Sequence, residues 1–151
     1  MAHLQVSKVI PASRFEVYDF LTDVRKLPFL LAPTIEVEPR GSDVDLKRGS
    51  EVCVNMTRMG LSQNIRWRIE DVLRGSRLTY RQVEGVFSAW SHTMKFEERG
   101  EKETLVTDLV DYQVPFGLFG YLADDLVLKM DMRRLMERRL AKAQEHFGGA
   151  S

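Results

Sequence analysis

The sequence has little of what several classes of protein require. Its 151 residues include one cysteine, Cys53, which excludes an intramolecular disulfide and a metal site built on a cysteine cluster. Lysine plus arginine equals aspartate plus glutamate, at 22 each, so the formal net charge is zero. A general nucleic-acid binder needs a basic excess to neutralise phosphates. We therefore expect no nucleic-acid partner.

Long apolar runs and metal-binding motifs are also lacking. No apolar run approaches the roughly 20 residues that a membrane-spanning helix needs. Residues 1–6 lack the basic and then apolar pattern of a secretory signal. His3, His92 and His146 do not have the spacing of zinc ligands, and there is no glycine-rich phosphate loop. We expect a cytoplasmic protein with no transmembrane segment, no metal and no cofactor.

What remains is the composition of an ordinary globular domain, with 44% hydrophobic and 29% charged residues. The length allows a substantial core. We predict a single domain over residues 1–147, followed by a flexible tail over residues 148–151.

The first third of the sequence predicts one strand and two short helices. Residues 4–10 alternate as a strand. Ser13 and Glu16 then have the spacing of a capping box, in which each side chain bonds a backbone N–H of the other residue. The first helix is predicted to end near Asp23. The second covers residues 24–31 and is irregular because of Pro28.

Beyond residue 35, apolar and polar residues alternate in segments that are separated by glycine-bearing turns. Gly60 suits a type II′ hairpin, and such short turns make neighbouring strands antiparallel. We predict strands over residues 35–40, 50–59, 62–73, 77–84, 89–98 and 103–114. Over residues 118–147 the pattern becomes helical, and one side is apolar: Leu122, Leu126, Leu128, Met132, Leu135, Met136, Leu140, Ala143 and Phe147.

This order, β-α-α-β(5–6)-α, predicts an α+β fold. One amphipathic helix and one long antiparallel sheet bury their apolar surfaces best when the sheet curves and the helix lies across its concave face. Such a packing leaves unfilled space between the two, which would be an internal cavity.

The penultimate strand assigns the inner face of the sheet. The set Ser91, Thr93, Lys95 and Glu97 is the more polar, so its alternates Trp90, His92, Met94 and Phe96 are predicted to face inward.

The last strand is assigned by its pairing. A hairpin centred on Gly100 would pair His92 with Asp108 and turn Val106, Val110 and Tyr112 inward with it. A carboxylate beside an imidazole favours the charged form of both, whereas burial opposes it. The pair could contact a ligand, act in acid–base chemistry or only complete the core.

Several inward residues carry polar tips that a dry core would leave unsatisfied, notably Tyr80, Gln82 and Tyr112. Trp67 is better explained as core, and methionines suit an adaptable wall. The candidate catalytic residues are His92 and Asp108, neither of them assigned. The predicted ligand contacts are Tyr80, Gln82, Trp90, His92, Met94, Asp108, Val110, Tyr112, Met132 and Met136.

Three segments carry a resemblance to a known family: Pro11-Ala-Ser-Arg-Phe-Glu-Val-Tyr18, Phe87-Ser-Ala-Trp-Ser-His-Thr-Met-Lys-Phe96, and Thr104-Leu-Val-Thr-Asp108 leading to Tyr112-Gln-Val-Pro-Phe-Gly117. With the element order, they make the chain similar to the SRPBCC superfamily. This is the helix-grip fold of START lipid-transfer domains, the birch-pollen allergen and bacterial polyketide cyclase/dehydrase-like proteins. The chain most resembles the small bacterial single-domain members.

The resemblance implies a deep hydrophobic cavity between the sheet and the last helix, which holds a lipid, polyketide or isoprenoid-like ligand. Some relatives are enzymes, but a shared fold does not transfer an activity. Three functions follow: a ligand-binding or transport protein, a cyclase or dehydratase that uses His92 and Asp108, and an interaction domain with a collapsed core. The protein is expected to be a monomer or homodimer, and the apolar stretches 27–31 and 116–121 leave transient membrane contact open.

Overall fold

The computed structural model describes residues 1–41, 45–115 and 125–148. One antiparallel sheet contains all seven strands of this part of the chain, in the order β1-β7-β6-β5-β4-β3-β2. The α+β class and the predicted strands are confirmed. The bounds are Ala2–Ile10 for β1, Glu36–Pro39 for β2, Glu51–Arg58 for β3, Leu61–Leu73 for β4, Arg77–Glu84 for β5, Ala89–Glu98 for β6 and Thr104–Gln113 for β7.

Two short helices follow β1. Helix α1, Arg14–Leu21, begins after Ser13, whose hydroxyl accepts from the backbone N–H of Glu16 and donates to its carboxylate at 3.0 Å. The segment predicted to be irregular is a 3₁₀ turn, Val24–Lys26, followed by helix α2, Leu27–Leu31. Pro28 lies in the first turn of α2, where its missing N–H breaks no helical hydrogen bond.

Irregular pairing between β4 and β5 contributes to the curvature of the sheet. The register shifts twice, between Arg66 and Trp67 and between Ile69 and Asp71. Each such bulge bends a strand and increases its twist. The concave face of the sheet therefore wraps around the helices, and the core lies between them.

Helix α3, Asp125–His146, closes the core. Its buried side includes Met132, Met136, Leu140 and Ala143, as predicted. Leu126 was predicted on this side but is 63% exposed. At about 100° per residue it falls outside the arc that the buried residues occupy. The predicted start of the helix and Leu122 lie outside the described residues.

Side chains of α3 also cover the outer edge of β1. The guanidinium Nη1 of Arg133 donates to the backbone oxygen of Gln5, and Nε2 of Gln144 donates to that of Val9, each at 3.0 Å. The opposite edge of the sheet is β2, which is four residues long and ends at Pro39.

The predicted pairing of β6 with β7 is wrong by two residues. His92 lies opposite Val110 rather than Asp108, and Met94 lies opposite Asp108. The cause is the turn, because the backbone N–H of Arg99 bonds the oxygen of Glu103 and the hairpin centres one residue beyond Gly100. A shift of two residues keeps each side chain on its face of the sheet, so the predicted inner face of both strands is confirmed.

The turn between β3 and β4 also differs from its prediction. Met59 and Gly60 both have positive φ, 53° and 80°, which is typical of a type I′ turn rather than type II′.

Among the residues that the structure describes, no helix is long and apolar enough to cross a membrane.

Candidate functional site

A cavity of about 60 Å³ lies between the concave face of the sheet and the segment that joins α1 to α2. Most of its wall is apolar: Leu21, Val24, Leu27, Leu46, Val52, Trp67, Ile69, Leu78 and Met94. Its polar lining is formed by Thr22, Asp23, Tyr80, His92 and Arg139. Such a cavity can hold an apolar body and orient it by a few polar groups.

The mouth of the cavity is formed by loop and helix residues. Thr22, Asp23, Leu27 and Leu46 line the cavity from the loop side and are half-buried, and we call this side the mouth. Asp23 is also held in place, because its carboxylate accepts from the backbone N–H and the guanidinium of Arg25. The other end of the cavity is formed by strands β5 and β6 and by α3.

Four polar side chains form a continuous chain of hydrogen bonds at that inner end. Tyr80 Oη lies 2.9 Å from His92 Nδ1, and His92 Nε2 lies 2.8 Å from Asp108 Oδ1. Arg139 Nη1 donates to Asp108 Oδ2 at 2.9 Å. We call Tyr80, His92, Asp108 and Arg139 the buried network. Tyr80 and His92 pair directly across β5 and β6, whereas His92 reaches Asp108 diagonally.

Burial shapes the charges of the network. Burial alone would raise the pKa of the Asp108 carboxyl, but Arg139 and His92 outweigh it and hold the pKa below its ordinary value of 3.8. Burial lowers the pKa of His92 below its ordinary value of 6.5, although Asp108 opposes this effect. Near neutral pH the network therefore contains a carboxylate, a guanidinium and an uncharged imidazole.

The hydroxyl of Tyr80 is the member of the network that stays protonated at the cavity wall. Burial raises the pKa of Tyr80 to about 12, although Arg139 and the nearby Trp90 indole lower it. The Trp90 indole N–H is itself buried, and within the described residues it completes no hydrogen bond of good geometry. Tyr80 therefore lines the cavity as an uncharged phenol.

Arg139 is the functional candidate that sequence reasoning missed. It is 4% exposed, and its second terminal nitrogen donates to the backbone oxygen of Leu21 and to the sulfur of Met94. The sequence does contain a signal for it. At about 100° per residue, Arg139 falls inside the apolar arc of the helix, between Leu128 and Met132. A cation in the middle of an apolar stripe needs a buried anion.

The structure places the predicted ligand contacts in two groups. Tyr80, His92 and Met94 line the cavity, and Asp108 lies behind His92. The amide of Gln82 instead bonds the backbone of Phe87. The others pack in the core beside the cavity or on its margins: Trp90, Val110, Tyr112, Met132 and Met136. Trp67, predicted as core, lines the cavity.

Sequence reasoning also missed the loop side of the cavity. The sequence has no periodic pattern that distinguishes the residues of this side from ordinary packing residues: Leu21, Val24, Leu27 and Leu46.

Within residues 1–41, 45–115 and 125–148, no group of three or more histidine, cysteine or acidic side chains could hold a metal ion.

Comparison with known proteins gives one family. A family model described as "Polyketide cyclase / dehydrase and lipid transport" matches residues 1–148. No curated protein matches the chain.

Many solved structures share the fold. A protein from Thermus thermophilus is 23% identical, with 95% of each chain covered and a TM-score of 0.75. The ginseng major latex-like protein 151 from Panax ginseng is 17% identical, with 97% of each chain covered and a TM-score of 0.70. The di-domain ARO/CYC StfQ from the steffimycin biosynthetic pathway is 13% identical over 96% of this chain and 50% of that chain, with a TM-score of 0.71. At these identities the likeness shows the fold alone, and it confirms the predicted helix-grip arrangement.

Proposed function

Because the chain belongs to the polyketide cyclase/dehydrase and lipid transport family, we propose that it binds a small or medium hydrophobic ligand in the cavity between sheet and helices. The ligand is a lipid, a polyketide or an isoprenoid-like molecule, and its polar group lies against Tyr80. Within its family, the chain is then a binding or transport protein.

The composition of the cavity wall supports this proposal most directly. Nine of the lining residues are apolar, and the polar groups are confined to the mouth and to the inner end. Transfer of apolar ligand surface into such a site contributes about 25 cal/mol per Å². The arrangement suits an elongated apolar molecule with one polar end.

The size of the cavity limits what enters without movement. Its volume of about 60 Å³ is well below the roughly 300 Å³ at the lower end of ligand pockets. A small ligand, or the end of a larger one, fits the inner part, and the rest has to displace Leu27 and Leu46 at the mouth. A small cavity is also what an interaction domain with a collapsed core predicts, so ligand binding is the property to test.

Native mass spectrometry of freshly purified protein, followed by extraction and identification of what co-purifies, is the direct test. Leu27→Trp, which narrows the mouth, should reduce the co-purified ligand. Phe29→Trp is the matched control, because Phe29 lies on the same helix, is 50% exposed and does not line the cavity. If nothing co-purifies and no member of a lipid and polyketide panel shifts the melting temperature, the binding function is wrong.

The buried network supports a second candidate, an enzyme that moves a proton at the cavity wall. Tyr80 would exchange a proton with the substrate, and His92, oriented by Asp108, would hold or return it. The two functions differ in the effect of His92→Ala. The enzyme loses turnover of a bound polyketide in single-turnover assays, whereas the binding protein changes only its affinity.

A further inference from the structure

We propose that the inner end of the cavity accepts a hydrogen bond from its ligand, so that it selects neutral hydroxyl and phenol groups over carbonyl and carboxylate groups. We further propose that Arg139 is the positioning residue that sets this preference. Both statements rest on the proposed binding function and name the chemistry of the ligand's polar group.

The first step concerns Asp108, which has no proton to give. Its Oδ2 accepts from Arg139, and an arginine side chain donates but never accepts. A carboxylate this close to a guanidinium stays ionised. Its Oδ1, at 2.8 Å from His92 Nε2, must therefore accept as well. The ring nitrogen Nε2 carries the hydrogen.

The second step concerns the charge of His92. Asp108 and Arg139 are 0% and 4% exposed, and their charges cancel. An imidazolium would add an uncompensated charge to a core position that is 2% exposed. His92 is therefore neutral, and with its hydrogen on Nε2 it offers a lone pair at Nδ1. The only hydrogen-bond donor that it faces there is the Tyr80 hydroxyl, at 2.9 Å, among the described residues.

The third step concerns the Tyr80 oxygen. Its single hydrogen points to His92, so only lone pairs remain for a molecule in the cavity. The Trp90 indole N–H lies near this oxygen and can occupy at most one of its two lone pairs, so acceptor capacity remains for a ligand. A ligand hydroxyl can donate to it, whereas a carbonyl or carboxylate oxygen would meet it lone pair to lone pair.

Arg139 sets this direction although the Tyr80 oxygen makes no hydrogen bond to it. Without the guanidinium, His92 becomes the counter-charge of Asp108 and takes up a proton. Its Nδ1 then donates to Tyr80, and the freed Tyr80 hydrogen turns toward the cavity. The preference for a ligand donor reverses to a preference for an acceptor.

The ligand preference is measured by NMR titration near neutral pH with four small probes: phenol, fluorobenzene, acetophenone and benzoate. Phenol and fluorobenzene have almost the same size, so their difference reports the hydrogen bond. Phenol is expected to bind about 2- to 10-fold more tightly than fluorobenzene, and benzoate more weakly than either. Tyr80→Phe should abolish the difference between phenol and fluorobenzene. Tyr18→Phe, a buried tyrosine that does not line the cavity, should retain it.

The role of Arg139 is read from the ¹⁵N shifts of the His92 ring. The wild type should show the hydrogen on Nε2 and none on Nδ1. Arg139→Lys, which keeps the positive charge, should keep this signature. Arg139→Met should show both nitrogens protonated and should bind acetophenone more tightly than phenol. If Arg139→Met does not fold, Arg139→Gln, which also removes the charge, is read in the same way.

The possible outcomes separate the two proposals. If no probe binds, this inference falls, whereas the proposed function is decided by the co-purified ligand and by the lipid and polyketide panel. If phenol and fluorobenzene bind equally, or if wild-type His92 carries its hydrogen on Nδ1, this inference is overturned and the binding function stands. A phenol preference that survives Tyr80→Phe also overturns it.

Discussion

The guanidinium of Arg139 and the carboxylate of Asp108 meet at 2.9 Å inside the core, and neither side chain is more than 5% exposed. The pair joins the C-terminal half of α3 to β7, the strand next to the edge strand β1. It therefore does two things at once. It fixes the helix over the concave face, and it sets the charge behind His92.

Arg139→Met is expected to lower the free energy of unfolding by about 3–5 kcal/mol, because Asp108 loses its guanidinium partner and His92 has to carry a buried charge in its place. Adding Asp108→Leu should recover part of this loss, since neither residue then has to be charged in the core. Urea denaturation of the single and double variants measures both effects.

Arg81→Met provides the control for this prediction. Arg81 and Glu70 are 3.8 Å apart, and both are close to half exposed. Exposed pairs contribute about 0–1 kcal/mol, so this variant should change little. Equal losses in Arg81→Met and Arg139→Met would contradict the importance assigned to burial.

Stability should fall as the solution is acidified below about pH 6.5. The pKa of His92 in the folded protein lies below its ordinary 6.5, so the unfolded chain takes up this proton first. The contribution is therefore present above pH 6.5 and is lost as the pH falls toward the folded pKa. The charged and titratable groups around the ring are Tyr80, Asp108 and Arg139.

The lowered pKa of Asp108 adds a second loss below its ordinary 3.8, again because the unfolded chain binds the proton first. Unfolding free energies over a pH series measure the two windows. His92→Gln should abolish the loss of stability that begins below about pH 6.5. His146→Gln, at an exposed position, should retain this loss. An unchanged slope in His92→Gln would show that another group is responsible.

Gly75→Ala should destabilise the protein by about 1–3 kcal/mol more than Gly60→Ala, because overpacking adds to backbone strain. Both glycines lie in turns with φ of 80°, so the strain is matched. A Cβ at Gly75 would lie 2.6 Å from the ring of Phe15, whereas one at Gly60 meets nothing within 4 Å. Thermal unfolding measures the stability of both variants. Equal losses of stability in Gly75→Ala and Gly60→Ala would mean that the Phe15 ring moves away from the added Cβ freely.

Lys142→Met should loosen α2, which carries Leu27 at the mouth of the cavity. The ammonium of Lys142 donates to the backbone oxygen of Phe29 at 2.6 Å and to that of Ala32, and it lies 5.0 Å from the Phe29 ring centre. The free energy of local opening of α2 should fall by about 1 kcal/mol, so amide exchange in residues 27–31 should become about fivefold faster. Lys129→Met on the same helix is the control, and hydrogen-exchange mass spectrometry resolves the segment.

The strands and their inner faces could be predicted because alternation with period two is visible in each segment. The contact between His92 and Asp108 could also be predicted, but its predicted reason, direct pairing across the hairpin, is wrong. The turn beyond Gly100 displaces the strands by two residues, and only the reach of an imidazole across the diagonal keeps the contact. Turn geometry depends on backbone angles that residue types restrict weakly.

The cavity wall was less predictable. A short irregular segment contributes Leu21, Val24 and Leu27 to the cavity wall. Its position depends on its packing against α3 rather than on a local sequence pattern. Arg139 was not predicted to be buried, because the inner face of a helix is assigned from its apolar residues and a charged residue is assigned to the surface. Treating that charge as part of the buried arc would have pointed to Asp108.

The side chains of Arg133 and Gln144 have a consequence for self-assembly. They occupy backbone oxygens on the free edge of β1 that an incoming strand would need. Another strand would have to displace both side chains before it could pair with β1. The two hydrogen bonds from α3 therefore protect the edge strand of the sheet from association with a second chain.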